Sequence, residues 1–158
     1  LSKRSNLPGL RSGFVAGDAK VIQKFLLYRT YHGSAMPGMV QQASIAAWRD
    51  ETHAEANRMA YRQKYQAILP KIEKHFEHCR PDAAFYLWLN TPIDDREFCK
   101  KLYEQQSLKV VPGSFLARDT ETGNPGKNRI RIALVAPLDA CIEGIDRLIN
   151  FKTSLPTN

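Results

Sequence analysis

The sequence predicts an α+β domain in which a short sheet is covered by helices. Three observations predict it. Arg129-Ile130-Arg131-Ile132-Ala133-Leu134 alternates with the period of a strand, Phe85-Tyr86-Leu87-Trp88-Leu89 is an aromatic-rich strand candidate, and the segments around both carry apolar residues at helical spacing.

Taken in order, Gly13-Phe14-Val15-Ala16-Gly17 reads as a short apolar strand closed by glycine, and Asp18 caps a helix whose Val21, Ile22, Phe25 and Leu26 fall three and four apart. Turn formers from Tyr31 to Gly38 predict a loop. From Val40 the pattern is helical for a long way, with Ala54, Arg58, Tyr61, Tyr65, Ile68, Ile72 and Phe76 on one stripe. Pro70 either kinks this helix or starts a second one. The strand at 85–89 ends at Thr91-Pro92, and Asp94 with Glu97 three residues later forms a capping box for a helix to about Gln106. A short strand at 109–111 is closed by Pro112-Gly113, and residues 119–128 are a turn-rich loop. The strand from Arg129 to Val135 follows. A last helix, from about Leu138 to Phe151, buries Leu138, Ile142, Ile145, Leu148 and Ile149.

Composition narrows the function classes. With 43% hydrophobic and 25% charged residues the chain is an ordinary globular one. No apolar run approaches the roughly 20 residues that cross a bilayer, so no membrane role is expected. The net charge of +7 invites a nucleic-acid reading, but the basic residues are dispersed, with Lys100-Lys101 the nearest thing to a cluster, and no such partner is expected. Cys79, Cys99 and Cys141 are odd in number and lack metal-ligand spacing, which points to a reducing, cytoplasmic setting. His75, His78 and Cys79 lie within about a helical turn but have no fourth ligand, so no metal is expected. Trp48 and Trp88 read as packing residues.

Two arginines and a lysine are the candidates for chemistry. Alternation puts Ile130, Ile132 and Leu134 in the core and Arg129, Arg131 and Ala133 on the other face. Arg131 there faces solvent or a polar cleft, and in a cleft its planar fork suits bidentate capture of a carboxylate. Near the start, Lys3 would become a nucleophile toward carbonyls if burial or cationic neighbours kept its amine neutral. Arg11, on a loop pinned by Pro8, Gly9 and Gly13, could hold an anion such as phosphate. A solvated basic loop is the plain alternative.

Four pieces in order sharpen this. Ser2-Lys3 followed by Leu7-Pro8-Gly9-Leu10-Arg11-Ser12-Gly13 resembles the cofactor-lysine segment of the pyridoxal-phosphate-dependent aminotransferases of fold type I, the aspartate-aminotransferase-like class. Pro81-Asp82-Ala83-Ala84-Phe85-Tyr86-Leu87-Trp88 is similar to that family's Pro-x-Gly-Gly-Phe-Tyr-x-Trp strand, with alanines where glycines are usual. Val111-Pro112-Gly113-Ser114-Phe115 is similar to its Val-x-Pro-Gly-x-x-Phe turn. Arg129 to Leu134 is similar to the strand that bears its substrate arginine. Together with the Leu-Leu-Tyr-Arg-Thr-Tyr run at 26–31 and Thr91-Pro92-Ile93-Asp94-Asp95, the chain looks most like the succinyldiaminopimelate aminotransferases of lysine biosynthesis.

The resemblance implies a division into residues 1–38, a remnant of the large cofactor-binding domain, and 39–158, a long interdomain helix with the C-terminal small domain. It implies pyridoxal 5′-phosphate as cofactor, amino acids and 2-oxo acids as substrates, and a homodimer. Lys3 would condense with the cofactor aldehyde and then carry the substrate Cα proton. Arg11, helped by Ser2, would hold the cofactor phosphate, and Arg131 would take the α-carboxylate. Arg29 and Tyr31 would contact a distal anionic group across the dimer, although an arginine ending a helix also neutralises its dipole. The amino group would pass between glutamate and N-succinyl-2-amino-6-oxopimelate. The alternatives are an aspartate, aromatic or other diaminopimelate-pathway aminotransferase, or a non-catalytic folding or dimerisation domain. In the family a further segment precedes the lysine, so the chain is expected to be a fragment that is inactive and binds the cofactor poorly alone. Phe14 and Val15 are expected to form an unpaired strand edge, and residues 1 to about 17 to be poorly ordered or to need contacts from another chain.

Overall fold

A computed structural model describes residues 1–77 and 79–156. The chain divides into two compact units, Leu1–Met59 and Ala60–Asn158.

The first unit opens with turns and a short 3-10 helix, Pro8–Leu10, followed by α1 (Ala19–Tyr31), α2 (Gly38–Arg49) and the beginning of α3 (Thr52–Ile72). Asp18 caps α1 as expected, its carboxylate accepting from the amides of Lys20 and Val21. The strand expected at 13–17 does not form: these residues join no sheet, because this unit contains no strand with which they could pair. Phe14 and Val15 are therefore exposed loop residues rather than a sheet edge, with the Phe14 ring edge-on to Trp48 at 5.3 Å. Residues 1–12 also bond to the rest of their unit. Buried Ser12 accepts from the Ser44 hydroxyl at 2.7 Å, and Arg4 donates to the Ala47 carbonyl at 2.7 Å. None of the apolar residues of α1 is buried.

The single long helix expected from Val40 is two helices. Asp50 adopts an extended conformation, and its carboxylate accepts the amide of Thr52 at 2.9 Å, ending α2 and starting α3. Pro70 lies inside α3, which stops two residues later.

The second unit is the predicted α+β layer. Strands β1 (Tyr86–Asn90), β2 (Val111–Pro112) and β3 (Arg129–Ala133) form an antiparallel sheet in the order β1-β3-β2. Helices α4 (Asp95–Gln106) and α5 (Leu138–Ser154) and the end of α3 supply the apolar layer. Leu87, Leu89, Ile130, Ile132 and Leu134 meet Ile68, Ile72, Leu102, Ile145 and Leu148 there, and Phe98 and Phe151 lock edge to face at 5.0 Å. Asp94 caps α4 as expected, but Glu97 pairs with Lys101 at 2.7 Å. All three cysteines are free and buried. Burial pushes the Cys99 thiol up to about 12, with Asp95 and Asp94 adding to the shift, so it stays protonated and unreactive.

Asp95, fully buried at the start of α4, ties the turn after edge strand β2 to the residue that precedes the central strand β3. Its carboxylate accepts from the Ser114 amide at 2.9 Å, the Ser114 hydroxyl at 2.7 Å and the Asn128 amide at 3.1 Å. Burial pushes this carboxyl up, but the donated hydrogen bonds together outweigh it and hold it below the ordinary carboxylate value. A carboxyl lowered on folding contributes stability above its unfolded value, near 3.9, and that contribution is lost as pH falls through the folded value. Asp95→Asn is expected to cost about 3 kcal/mol at pH 7, because one amide oxygen replaces a charged acceptor of three bonds. It is also expected to flatten the acid limb of the stability curve below pH 4. Urea melts at pH 7 and pH 3 check this, and an equally steep acid limb in the variant refutes it.

Candidate active site

Three places hold the sequence-predicted residues. Lys3 stands exposed in the turn that opens the first unit, next to half-buried Ser2.

Arg11 and Arg29 are eighteen positions apart in sequence, yet both line one cavity of about 480 Å³ in the first unit, together with Gly33 and Ser34. Arg11 has a left-handed backbone, φ 49°, and its guanidinium donates to the Pro8 carbonyl at 2.7 Å. Arg29 donates to the carbonyls of His32 and Ser34 at 3.2 and 3.5 Å, so it does close the C-terminal end of α1. Gly33 is what lets it in, since a Cβ there would lie 2.0 Å from Arg29 Nη1. Among the described residues neither guanidinium has a carboxylate partner. Two cations fixed by neutral carbonyls leave positive charge facing a cavity, an arrangement that suits a phosphate-like dianion. Ser2, Lys3 and Tyr31 do not line it, and Tyr31 is 77% exposed.

The third place is in the second unit. The register sets Arg131 of the central strand opposite both Trp88 and Val111, and Ile130 and Ile132 point into the core as predicted. Arg131 is half-buried in a cavity of about 540 Å³ with Tyr86, Trp88, Ala83, Ala84 and Leu116. Its guanidinium lies 5.8 Å from the Tyr86 ring centre, and among the described residues no carboxylate pairs with it. Trp88, read from sequence as packing, is thus also a wall of this pocket. Ala84 holds φ +106°, a conformation that favours glycine and costs an alanine on the order of 1–2 kcal/mol. Its carbonyl accepts the Tyr65 hydroxyl at 3.1 Å. Behind the pocket, Gly113 and Gly126 let two backbones cross, since a Cβ on Gly113 would lie 2.4 Å from the Gly126 carbonyl.

The triple His75, His78 and Cys79 has His78 outside the described residues. Among those described, no group of three or more His, Cys, Asp or Glu could hold a metal, and no helix is long and apolar enough to cross a membrane.

Sequence reasoning missed the Tyr86–Trp88 walls, Gly33 and Ser34, and a cluster around Arg4, Ser5, Asp50 and His53. Only the i, i+3 spacing of Asp50 and His53 was legible beforehand.

Residues 1–148 match the family described as aminotransferase class I and II. An aminotransferase from Neisseria meningitidis, known from its crystal structure, is 52% identical and superposes with a TM-score of 0.86 over 96% of this chain and 39% of its own. A probable N-succinyldiaminopimelate aminotransferase from Thermus thermophilus is 25% identical with a TM-score of 0.80, over 95% of this chain and 40% of its own. The LL-diaminopimelate aminotransferase of Aquifex aeolicus is 30% identical over 96% of this chain and 39% of its own. The chain spans about 34% to 40% of the length of the relatives it matches. Family match, fold and the order of the motifs coincide: the chain belongs to the class I and II aminotransferases.

Proposed function

We propose that the intact protein transfers an amino group between glutamate and N-succinyl-2-amino-6-oxopimelate, with Lys3, Arg11 and Arg131 as its principal groups. The observation that carries the amino-transfer part of this reading is Arg131, a guanidinium on a rigid central strand with an open pocket before it and no internal carboxylate among the described residues; the choice of acceptor rests on the likeness to the Thermus relative.

Class I and II aminotransferases depend on pyridoxal phosphate. When bound, it supplies the electron sink that makes a substrate Cα proton removable. The donor set of this chain fits that group: a primary amine at Lys3, exposed rather than buried but next to cationic Arg4, for an aldehyde, and Arg11 on its cavity for a phosphate. In this reading Lys3 would hold the cofactor through its amine and, once the incoming substrate amine had displaced it, that freed amine would carry the proton at substrate Cα. Arg11, helped by Ser2, grips the phosphate. Arg131 fixes the α-carboxylate through two parallel N–H donors, which also sets the orientation of the Cα–H bond. Arg29 and Tyr31 meet a distal anionic group in a cytoplasmic homodimer, consistent with a polyanionic acceptor.

The Thermus relative's name favours the succinylated acceptor, and the Aquifex relative's name favours LL-diaminopimelate chemistry as the competing reading. Formation of 2-oxoglutarate from glutamate by the intact protein separates them. N-succinyl-2-amino-6-oxopimelate is expected to give a kcat/KM at least about 100-fold above those of oxaloacetate, phenylpyruvate and tetrahydrodipicolinate. Parity or reversal overturns the substrate assignment. The 158-residue chain assayed alone is expected to show no turnover.

A further inference from the structure

We propose that Arg4, Ser5, His53 and Asp50 form a directed hydrogen-bond latch that positions the Lys3 segment on the α2–α3 junction, so that Ser5 and His53 are positioning residues for the Lys3 amine. The proposal rests on the reading of Lys3 as the cofactor amine.

The three residues after Lys3 each reach the same stretch of chain, 47–57. Arg4 donates to the Ala47 carbonyl at 2.7 Å and the Asp50 carbonyl at 3.2 Å, pairs with Glu51, and lies 4.7 Å over the Trp48 ring. Ser5 Oγ is 2.9 Å from His53 Nε2, and His53 Nδ1 is 2.6 Å from Asp50 Oδ2. Asn6 donates to the Asn57 side chain at 3.3 Å.

The direction of the chain of bonds follows from what each group can do. A carboxylate only accepts, so His53 Nδ1 carries the proton toward Asp50 and Nε2 is the acceptor in the neutral ring. Ser5 Oγ already accepts from Arg4 Nη1 at 3.3 Å, which leaves its own proton for Nε2. Asp50 is fixed from a second side by the Thr52 amide at 2.9 Å. The hydrogen bond from His53, followed by that from Thr52, holds its carboxyl below the ordinary range. Donors and acceptors are thus matched from Arg4 to Asp50 without a conflict.

The order Ser–His–Asp also suggests acyl transfer, but the two donors next to the Ser5 hydroxyl that could stabilise an oxyanion are already engaged. The Ser5 amide donates to the Leu1 carbonyl at 3.1 Å, and Arg4 is committed to Ala47, Asp50 and Glu51. What remains is positional. The latch begins one residue after Lys3, a Cα step of about 3.8 Å, so it fixes the pivot from which the amine reaches. A displacement of about 1 Å at such a group can cost about 100-fold in rate.

The test uses the intact protein, Ser5→Ala, His53→Ala, their combination, and Ser5→Thr, which retains the hydroxyl. Pyridoxal phosphate is added, the adduct is reduced with borohydride, and labelling of the Lys3 peptide is followed by mass spectrometry. Amide hydrogen exchange is measured on the protein without cofactor. Ser5→Ala and His53→Ala are each expected to slow labelling of Lys3 about tenfold and to speed exchange of residues 4–7 about tenfold. The double variant should be no worse than either single one, and Ser5→Thr should stay within twofold of the unmodified protein. Exchange at 86–90 and 129–133 should not change, which excludes global unfolding. Labelling of Lys3 at equal rates in Ser5→Ala and the unmodified protein overturns the latch alone. No label on Lys3 in the unmodified protein overturns the cofactor reading, and the proposal with it.

Discussion

Lys3→Ala in the intact protein is expected to reduce glutamate-dependent transamination by about 10⁴-fold or more, with melting temperature unchanged within about 2 °C. The size follows from two losses at one atom. A primary amine is the group that can condense reversibly with an aldehyde, and a positioned general base contributes about 10²–10⁴ by itself. The stability expectation follows from exposure, because the Lys3 side chain stands outside the apolar core of its unit. Lys3→Arg tells charge from chemistry: it keeps a cation at the position but offers no condensable amine, so it should be as inactive as alanine. Initial rates with glutamate, together with cofactor content after gel filtration, check both variants. Turnover within tenfold of the unmodified protein in either variant removes Lys3 from the reaction.

The parts of the fold that were legible are those written in one short window. In β3 the alternation of arginines with Ile130, Ile132 and Leu134 matches the observed burial, and α5 buries Ile145 and Leu148 as its 3.6-residue spacing requires. Asp18 and Asp94 cap the helices they precede because N-capping is a contact over two or three residues. Non-local features were not legible. Phe14 and Val15 have strand-like composition, but a strand exists only if another pairs with it, and none does in their unit. The break between α2 and α3 carries no glycine or proline; its signal is Asp50 two residues before Thr52, a cap hidden inside an otherwise helical pattern. The same division holds for the candidate site. Lys3, Arg11 and Arg131 were visible as motif residues, whereas the sharing of one cavity by Arg11 and Arg29, and the enclosure of Arg131 by Tyr86 and Trp88, arise only from chain reversal and strand register.

Arg131→Ala is expected to lower kcat/KM about 10²–10⁴-fold for every amino donor, and Arg131→Lys about tenfold to 100-fold. Each charge-assisted hydrogen bond to a carboxylate contributes about 1.5–3 kcal/mol, and each 1.36 kcal/mol is tenfold in rate. Alanine forfeits both bonds and the charge; lysine keeps a point charge but loses the planar fork. The frame around the residue should survive, since Ile130 and Ile132, not Arg131, contact the core, and the cross-strand partners Trp88 and Val111 remain paired through backbone bonds. The decisive readout is uniformity. A group that binds the α-carboxylate is used by glutamate, aspartate and alanine alike, so their kcat/KM values must fall by a similar factor. If alanine, which has only one carboxylate, reacts normally while glutamate and aspartate lose rate, Arg131 grips a distal carboxylate instead. The assignment of the α-carboxylate then passes to another cation.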